Sequence, residues 1–351
     1  MEQHVGHATY SDNLRRALAE VDDIEQTWLD VRYATTGRPW ERVPFVPRSA
    51  IAALRARDEI RPLGDLEPDV AFFNTQVPAV LGGRAVRRLP YVVAVDVTPL
   101  QYDRIADGYG HSADRRGPTR WMKHRLNTRV LTQAAMVVAW SSWVRESLIS
   151  EYGVRPDRVV VIAPGVDTEW WRPLPRPATE GPIQILFVGG DLVRKGGDVL
   201  LDAFATLPAG AAELVLVTKS PVDPAPGVTV LSHLGPNSRE LRRLFHSSDL
   251  FALPARAEAF GIAAVEAGAA GLPVIATSVG GLADIVIDGE TGLVVSPGDL
   301  ASLASSLNAL VADRNLRIRL GAAARRRVEQ HFDAHRNGEQ IASILREAAC
   351  R

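Results

Sequence analysis

Ten short apolar runs, most of them rich in β-branched residues, constrain this chain more than any other feature. They are PDVAFF (68–73), PYVVAVDVT (90–98), AAMVVAW (134–140), DRVVVIAP (157–164), PIQILFVGG (182–190), AELVLVT (212–218), GVTVLS (227–232), SDLFALPA (248–255), LPVIAT (272–277) and GLVV (292–295). Continuous runs of this length suit parallel strands buried on both faces, where no polar alternation is needed. Amphipathic stretches such as SSWVRESLISEYGV (141–154) and SRELRRLFHSSD (238–249) lie between them. That alternation predicts an α/β fold of doubly wound layers. A further run, IEQTWLDVRY (24–33), is expected as the first strand, behind a helix around 11–21. The chain therefore opens almost at its first loop.

A length of 351 residues suits two such domains. Residues 163–183 carry five prolines and no periodicity, the pattern of an interdomain linker. The expected division is a doubly wound domain over 1–164, a linker over 165–182 and a second doubly wound domain over 183–332. A C-terminal helix over 333–351 is expected to pack back on the first domain.

Charge and cysteine content exclude some classes of function. The formal net charge of −1 gives no global attraction to nucleic acid, and none is expected as a partner. Cys350 is the single cysteine, so neither an internal disulfide nor a cysteine metal cluster is available. The opening MEQHVGHATYSDNLRRAL lacks the basic-then-apolar pattern of a secretory leader, and no apolar run approaches the roughly 20 residues of a membrane span. A cytoplasmic location is expected.

Two constellations carry chemistry. In ARAEAFGIAAVEAGAAGLPVIAT (255–277), Glu258 lies in the loop before a helix and Glu266 on its second turn. A carboxylate accepts two hydrogen bonds at once and suits the vicinal hydroxyls of a ribose or hexose. The free N–H groups at the helix start, around Phe260, Gly261, Ile262 and Ala263, suit a diphosphate. The alternative is a small-residue helix against a sheet, with both glutamates as surface charges. In FVGGDLVRKGGDVLLDAF (187–204), a strand runs into Gly189 and Gly190, then Arg194 and Lys195, then two glycines opening a helix. Glycine permits close backbone approach, and the adjacent cations neutralise phosphate. The spacing matches neither the mononucleotide P-loop nor the dinucleotide fingerprint. The alternative is an ordinary turn with surface cations.

Together these stretches resemble the retaining glycosyltransferases of family 4, as do APGVDTEWW (163–171), HLGPNSREL (233–241) and VGGLADIVIDGETGLVVSPGD (279–299). The resemblance implies the GT-B fold, two Rossmann-like domains facing a cleft, and a nucleotide-diphosphate sugar as donor. It assigns the donor diphosphate to Arg194 and Lys195, the transferred sugar to Glu258, the ribose to Glu266 and the base to the segment at Leu234, Gly235 and Pro236. Gly190, Lys219, Phe260, Gly261 and Ile262 fall among the donor-binding positions. It implies retention without a protein nucleophile. No Asp-x-Asp occurs, so no metal and no other cofactor is expected.

In the first half, Gly6 occupies the place of the family's glycine-containing loop and Asp96 that of an acceptor-side catalytic aspartate. The family's preceding histidine is replaced by Val95. His7, Asp96, Tyr102 and His111 are the candidates to supply a substitute polar group, and the sequence does not choose among them.

The stretch RRGPTRWMKHRLNTRVLTQAA (115–135) reads as a basic helix whose Met122, Leu126, Val130 and Ala134 form a stripe expected to bury against the sheet. Its cations are either a solvated face or a weak peripheral contact to an anionic acceptor or membrane. Two readings compete with sugar transfer to an unknown acceptor. One is a sugar-nucleotide-binding or partner-dependent protein without turnover; the other is a GT-B epimerase or phosphorylase.

Overall fold

The computed structural model describes residues 6–31, 66–81, 89–109, 117–174 and 181–350, with single positions 59 and 86. The chain divides into two compact units. One comprises Met1–Asp103, Ala113–Ala163 and His335–Arg351; the other comprises Arg104–Ser112 and Pro164–Ala334.

The first unit holds a parallel sheet of β1 (Ala71–Phe73), β2 (Tyr91–Val95), β3 (Met136–Ala139) and β4 (Val159–Val161), in that spatial order. Its helices are α1 (Gly6–Ala19), α2 (Gln76–Leu81), α3 (Pro99–Arg104), α4 (Pro118–Gln133) and α5 (Ser142–Ser150). Every residue of β2 is buried, as a strand covered on both faces must be. Val93, Val137, Leu131, Val144 and Leu148 lie at the centre of this core. Ser141 caps α5 by accepting from the Val144 N–H.

The second unit is built on β5 (Ile183–Val188), β6 (Ala212–Val217), β7 (Val228–Leu231), β8 (Leu250–Leu253), β9 (Val274–Thr277) and β10 (Gly292–Val295). All pair in parallel, in the order β10-β9-β8-β5-β6-β7. Read from β5, this is the doubly wound order 3-2-1-4-5-6, with its switch point between β5 and β8. The helices are α6 (Gly197–Phe204), α7 (Arg239–Ser247), α8 (Ile262–Ala269), α9 (Leu282–Ile285), α10 (Leu300–Ala312) and α11 (Arg314–His331). Asp299 and Asp313 cap α10 and α11 in succession. A last helix, α12 (Ala334–Ala349), returns to the first unit from His335 onward. There Asn337 donates to the Ala163 carbonyl at 2.9 Å, and Arg346 pairs with Asp23.

Three expectations are corrected. Residues 24–30 form no strand. Instead this segment is tied to α1 by side chains: Gln26 donates to the Leu18 carbonyl, Arg15 lies over Trp28, and Arg15 pairs with Asp30. Residues 32 and 33 of that run lie outside the described residues. The expected linker is packed over its first half: Trp171 is fully buried in the second unit, edge-on to Phe245. The stripe on α4 does not bury as a unit. Ala134 is buried, but Met122 and Leu126 are 54% and 45% exposed. Steps of four residues advance 40° more than a full turn, so the stripe rotates by about 120° from Met122 to Ala134 and cannot face one way.

Candidate functional site

The carboxyl ends of β5 and β8 flank the switch point, the position at which doubly wound sheets receive ligands. The loop after β5 is shaped by its glycines. Gly196 has φ 74°, and a Cβ there would stand 2.0 Å from the Pro254 carbonyl oxygen, so no other residue fits against the β8 loop. A Cβ on Gly189 would meet the Lys195 stem at 2.5 Å, so the lysine side chain lies directly over that glycine.

Lys195 Nζ reaches Glu258 Oε2 at 3.0 Å, and Arg194 Nη1 lies 3.7 Å from the same oxygen. Arg194 is fixed from several sides. It donates to the Ala257 carbonyl at 2.9 Å, stands 3.8 Å from Asp191 and is covered by the Tyr109 ring at 4.3 Å. Gly108 permits that approach, since even a methyl group there would press on Ala257 at 2.7 Å. Behind the loop, Arg256 ties Asp198 to the Val193 carbonyl, each at 2.6 Å. All three ionic side chains are largely covered, at 12%, 16% and 10% exposure for Arg194, Lys195 and Glu258. Burial alone raises the Glu258 carboxyl, but the charges of Lys195 and then Arg194 overcome it. They hold the group below the usual carboxylate range.

Glu266 behaves in the opposite way. It sits on α8, is 4% exposed, and its carboxyl forms no ion pair or hydrogen bond among the described residues. Burial pushes its carboxyl up to about 8, with the Lys195 charge only partly opposing. Gly261, at φ 105°, starts α8. Its backbone conformation and the 2.5 Å approach of Leu282 to an added Cβ both require glycine. The following turn at Gly280 is equally tight, 1.9 Å from the Glu258 carbonyl oxygen for an added Cβ. Phe260 is buried beneath the loop. The first N–H groups of α8, including that of Ile262, have no partner within the helix and are available to an anion.

The remaining sequence candidates are spread more widely. Gly190 is joined to the loop after β6 through Ser220, whose hydroxyl donates to the Gly190 carbonyl at 3.4 Å. Lys219 stands exposed in that loop, with no ion pair among the described residues. Leu234 is half-buried between β7 and α7. Gly6 and Asp96 belong to the first unit. There His7 Nε2 lies 3.2 Å from Asp96 Oδ2, and the His7 ring packs 5.0 Å from Trp140. Asp96 follows β2, Trp140 follows β3 and His7 opens α1, so the three meet at the carboxyl edge of the first sheet. Among the four substitutes for the missing histidine, the structure therefore pairs His7 with Asp96. Val95 is fully buried, and His111 lies outside the described residues. Sequence reasoning missed Tyr109, because its contact with Arg194 depends on residues 104–112 joining the second unit.

The sequence model described as Glycosyltransferase Family 4 matches residues 6–170, and the one described as Glycosyl transferases group 1 matches residues 182–313. The chain belongs to the family 4 glycosyltransferases. Among curated relatives, this family 4 chain is 33% identical over 221 residues to the D-inositol 3-phosphate glycosyltransferase of Nocardia farcinica, covering 56% of the chain and 49% of that protein. It is 29% identical over 239 residues to the glycogen synthase of Mycobacterium tuberculosis, covering 64% of the chain and 56% of that protein. The chain thus spans about half the length of the curated relatives it matches. Among solved structures, sucrose-phosphate synthase from Thermosynechococcus elongatus superposes with a TM-score of 0.76 at 22% identity, over 97% of this chain and 93% of that one. Anabaena HepE, solved with UDP-glucose, gives 0.65 at 21% identity, over 95% and 88%. These likenesses place the fold in the GT-B group.

Proposed function

We propose that this chain transfers a sugar, with retention, from a nucleotide-diphosphate sugar to a hydroxyl acceptor. The observation carrying this reading is the covered Arg194–Lys195–Glu258 cluster at the switch point, beside the start of α8 and the buried Glu266. Arg194, Lys195 and the α8 N–H groups receive the diphosphate; Glu258 meets the sugar; Glu266 accepts the ribose hydroxyls; Leu234 lies by the base. As the C1–O bond breaks, its electron pair goes to the diphosphate, where the two cations lower the cost of the charge. The acceptor oxygen bonds to C1 on the face the diphosphate leaves, and its proton passes to the departing phosphate oxygen. In this scheme Arg194 and Lys195 take the role a divalent metal has elsewhere. Asp96, steadied by His7, serves the acceptor side in place of the histidine that Val95 replaces.

The complexes of HepE with UDP and UDP-glucose support a UDP-sugar as donor. The curated relatives support a phosphorylated polyol or a glucan as acceptor. The test is a thermal-shift screen against UDP-, GDP-, ADP- and TDP-sugars with chelator present, followed by UDP release with D-inositol 3-phosphate or glycogen as acceptor. A ligand at 100 times its dissociation constant should add about 2.7 kcal/mol of stability. Failure of every nucleotide sugar to shift folded protein would overturn the assignment of the donor site.

A further inference from the structure

Between α3 and α4 the first unit holds a hollow that the donor site does not use. Leu100 lines it from α3, Gly117 from the start of α4, and Arg120, Trp121 and His124 from α4 itself. Helical geometry puts those last three within an arc of about 100°, on one side of the helix. The hollow is open and holds about 340 Å³, within the range of small-ligand sites. Its walls are packed elements, not a loose loop. The buried Tyr152 accepts the Leu100 N–H on its hydroxyl at 3.1 Å and packs its ring 5.0 Å from that of His124. The Thr98 and Ser147 hydroxyls, 2.8 Å apart, and Gln101, which donates to the Trp143 carbonyl at 2.7 Å, fix α3 on α5.

The side chains that line the hollow give it a mixed chemistry. Trp121 is 61% exposed, with Arg125 over its ring at 5.2 Å, so an apolar plane stands open to solvent. Arg120 is exposed beside it, and the Nδ1 of His124 is buried without a hydrogen-bond partner among the described residues. A sugar ring matches this combination. Its C–H face is apolar and stacks on an aromatic plane, while its hydroxyls, donors and acceptors at once, pair with a guanidinium and an imidazole. A phosphate would use Arg120 but not the indole, and an aliphatic chain would leave Arg120 and His124 unused. Position adds a second argument. Leu100 stands four residues after Asp96, and four residues of chain span at most ~14 Å, a reach that a short oligosaccharide bridges. We infer that the hollow between α3 and α4 is a carbohydrate-binding subsite, where one ring of an oligosaccharide acceptor stacks on Trp121 while another ring of the same glycan meets Asp96. Naming the ligand an acceptor rests on the acceptor-side reading of Asp96, and the subsite selects a glycan over a phosphorylated polyol.

The test needs no turnover and no nucleotide. The full chain is screened by saturation-transfer NMR against maltotriose, cellotriose, mannotriose and chitotriose, with UDP and D-inositol 3-phosphate alongside, and the saccharide that binds is then titrated. At least one trisaccharide is expected to bind, and more tightly than its monosaccharide. Trp121→Ala should weaken that binding roughly tenfold, and Trp121→Phe should recover most of it. Both alter an exposed side chain, and unchanged melting curves establish that they fold. Lys195→Ala should leave saccharide binding unchanged, which separates this subsite from the donor site. A chain that binds the saccharide but no nucleotide sugar therefore loses the donor reading and keeps the subsite. Where turnover is measured, Trp121→Ala should raise KM for an oligosaccharide acceptor roughly tenfold at unchanged kcat. Absence of saccharide binding, or equal binding by wild type and Trp121→Ala, overturns the inference. So does a loss of UDP or D-inositol 3-phosphate binding, in place of saccharide binding, in Trp121→Ala.

Discussion

Replacing Glu266 by glutamine removes a buried carboxyl while keeping its shape, and the consequence for stability can be worked through. In the folded chain its carboxyl is raised from 4.5 to about 8, with burial as the leading cause. A group whose folded pKa is raised contributes its full stability below the unfolded value and loses it as pH climbs toward the folded value. The window is therefore pH 4.5 to about 8. At about 1.4 kcal/mol per pH unit, wild type should lose roughly 3–5 kcal/mol relative to Glu266→Gln across that window. Because Glu266 is only 4% exposed, little of this is removed by solvent screening. Taking the difference between variant and wild type cancels the contribution of Glu258, which is depressed and titrates in the opposite sense. Melting curves at pH 5, 7 and 9 are the assay. At roughly 2–4 °C per kcal/mol for a unit of this size, the variant should gain on wild type by on the order of 10 °C between the extremes. A difference that stays flat with pH refutes the argument, because Glu266 would then be solvated or already paired. Ligand binding supplies the second half. If ribose hydroxyls donate to the ionised carboxylate, UDP-glucose binding expels a proton. Affinity should rise up to about tenfold per pH unit below 8 and level off above it. Calorimetry in two buffers of different ionisation enthalpy reads that proton directly, and in Glu266→Gln it should be absent.

Lys195→Ala leaves Glu258 without its nearest cation and, on the proposed reading, the departing diphosphate without one of its two charged partners. Turnover should fall by roughly 10²–10³, about 2.7–4 kcal/mol, and wild-type kinetics would show that the lysine is structural only. Tyr109→Ala uncovers the Arg194 guanidinium, and a cation–π contact of about 0.5–2 kcal/mol implies a loss of UDP affinity between twofold and thirtyfold. Tyr109→Phe should restore most of it; equal affinities in the three proteins, with UDP still bound, would remove Tyr109 from the site without touching the donor assignment.

Much of this architecture was legible in the sequence for one physical reason. Strands covered on both faces must be apolar without interruption, so each of the ten runs contains an observed strand, from Ala71–Phe73 to Gly292–Val295. The Arg194–Lys195 and Glu258 stretches were legible because each follows such a strand and enters a glycine turn that only a close approach explains. What escaped depends on packing between segments distant in the chain. Residues 24–30 are apolar enough for a strand, but side-chain contacts to α1 replace the ladder. The proline-rich stretch after 163 looked like a linker, yet Trp171 is buried edge-on to Phe245, a contact that no local pattern announces. Tyr109 carries no motif at all; only the crossing of residues 104–112 into the second unit gives it a partner.

The two glutamates show where sequence reasoning stops and structure has to take over. As letters, Glu258 and Glu266 are the same residue on the same short stretch, and both are almost fully buried. Desolvation raises both. They part because Lys195 comes within 3.0 Å of Glu258, with Arg194 behind it, whereas Glu266 feels the lysine only as a weaker opposing charge. One carboxyl is thereby held as an anion and the other stays protonated near neutral pH until a ligand changes its surroundings. An anion held by two cations is already balanced, and on the proposed reading a diphosphate that takes those cations over releases its charge to work on a sugar. A neutral buried acid is unbalanced the other way and gains most from a pair of hydroxyl donors. On the proposed reading, a single ligand carrying both a diphosphate and a diol would resolve both states at once, which neither a free sugar nor inorganic diphosphate can do alone.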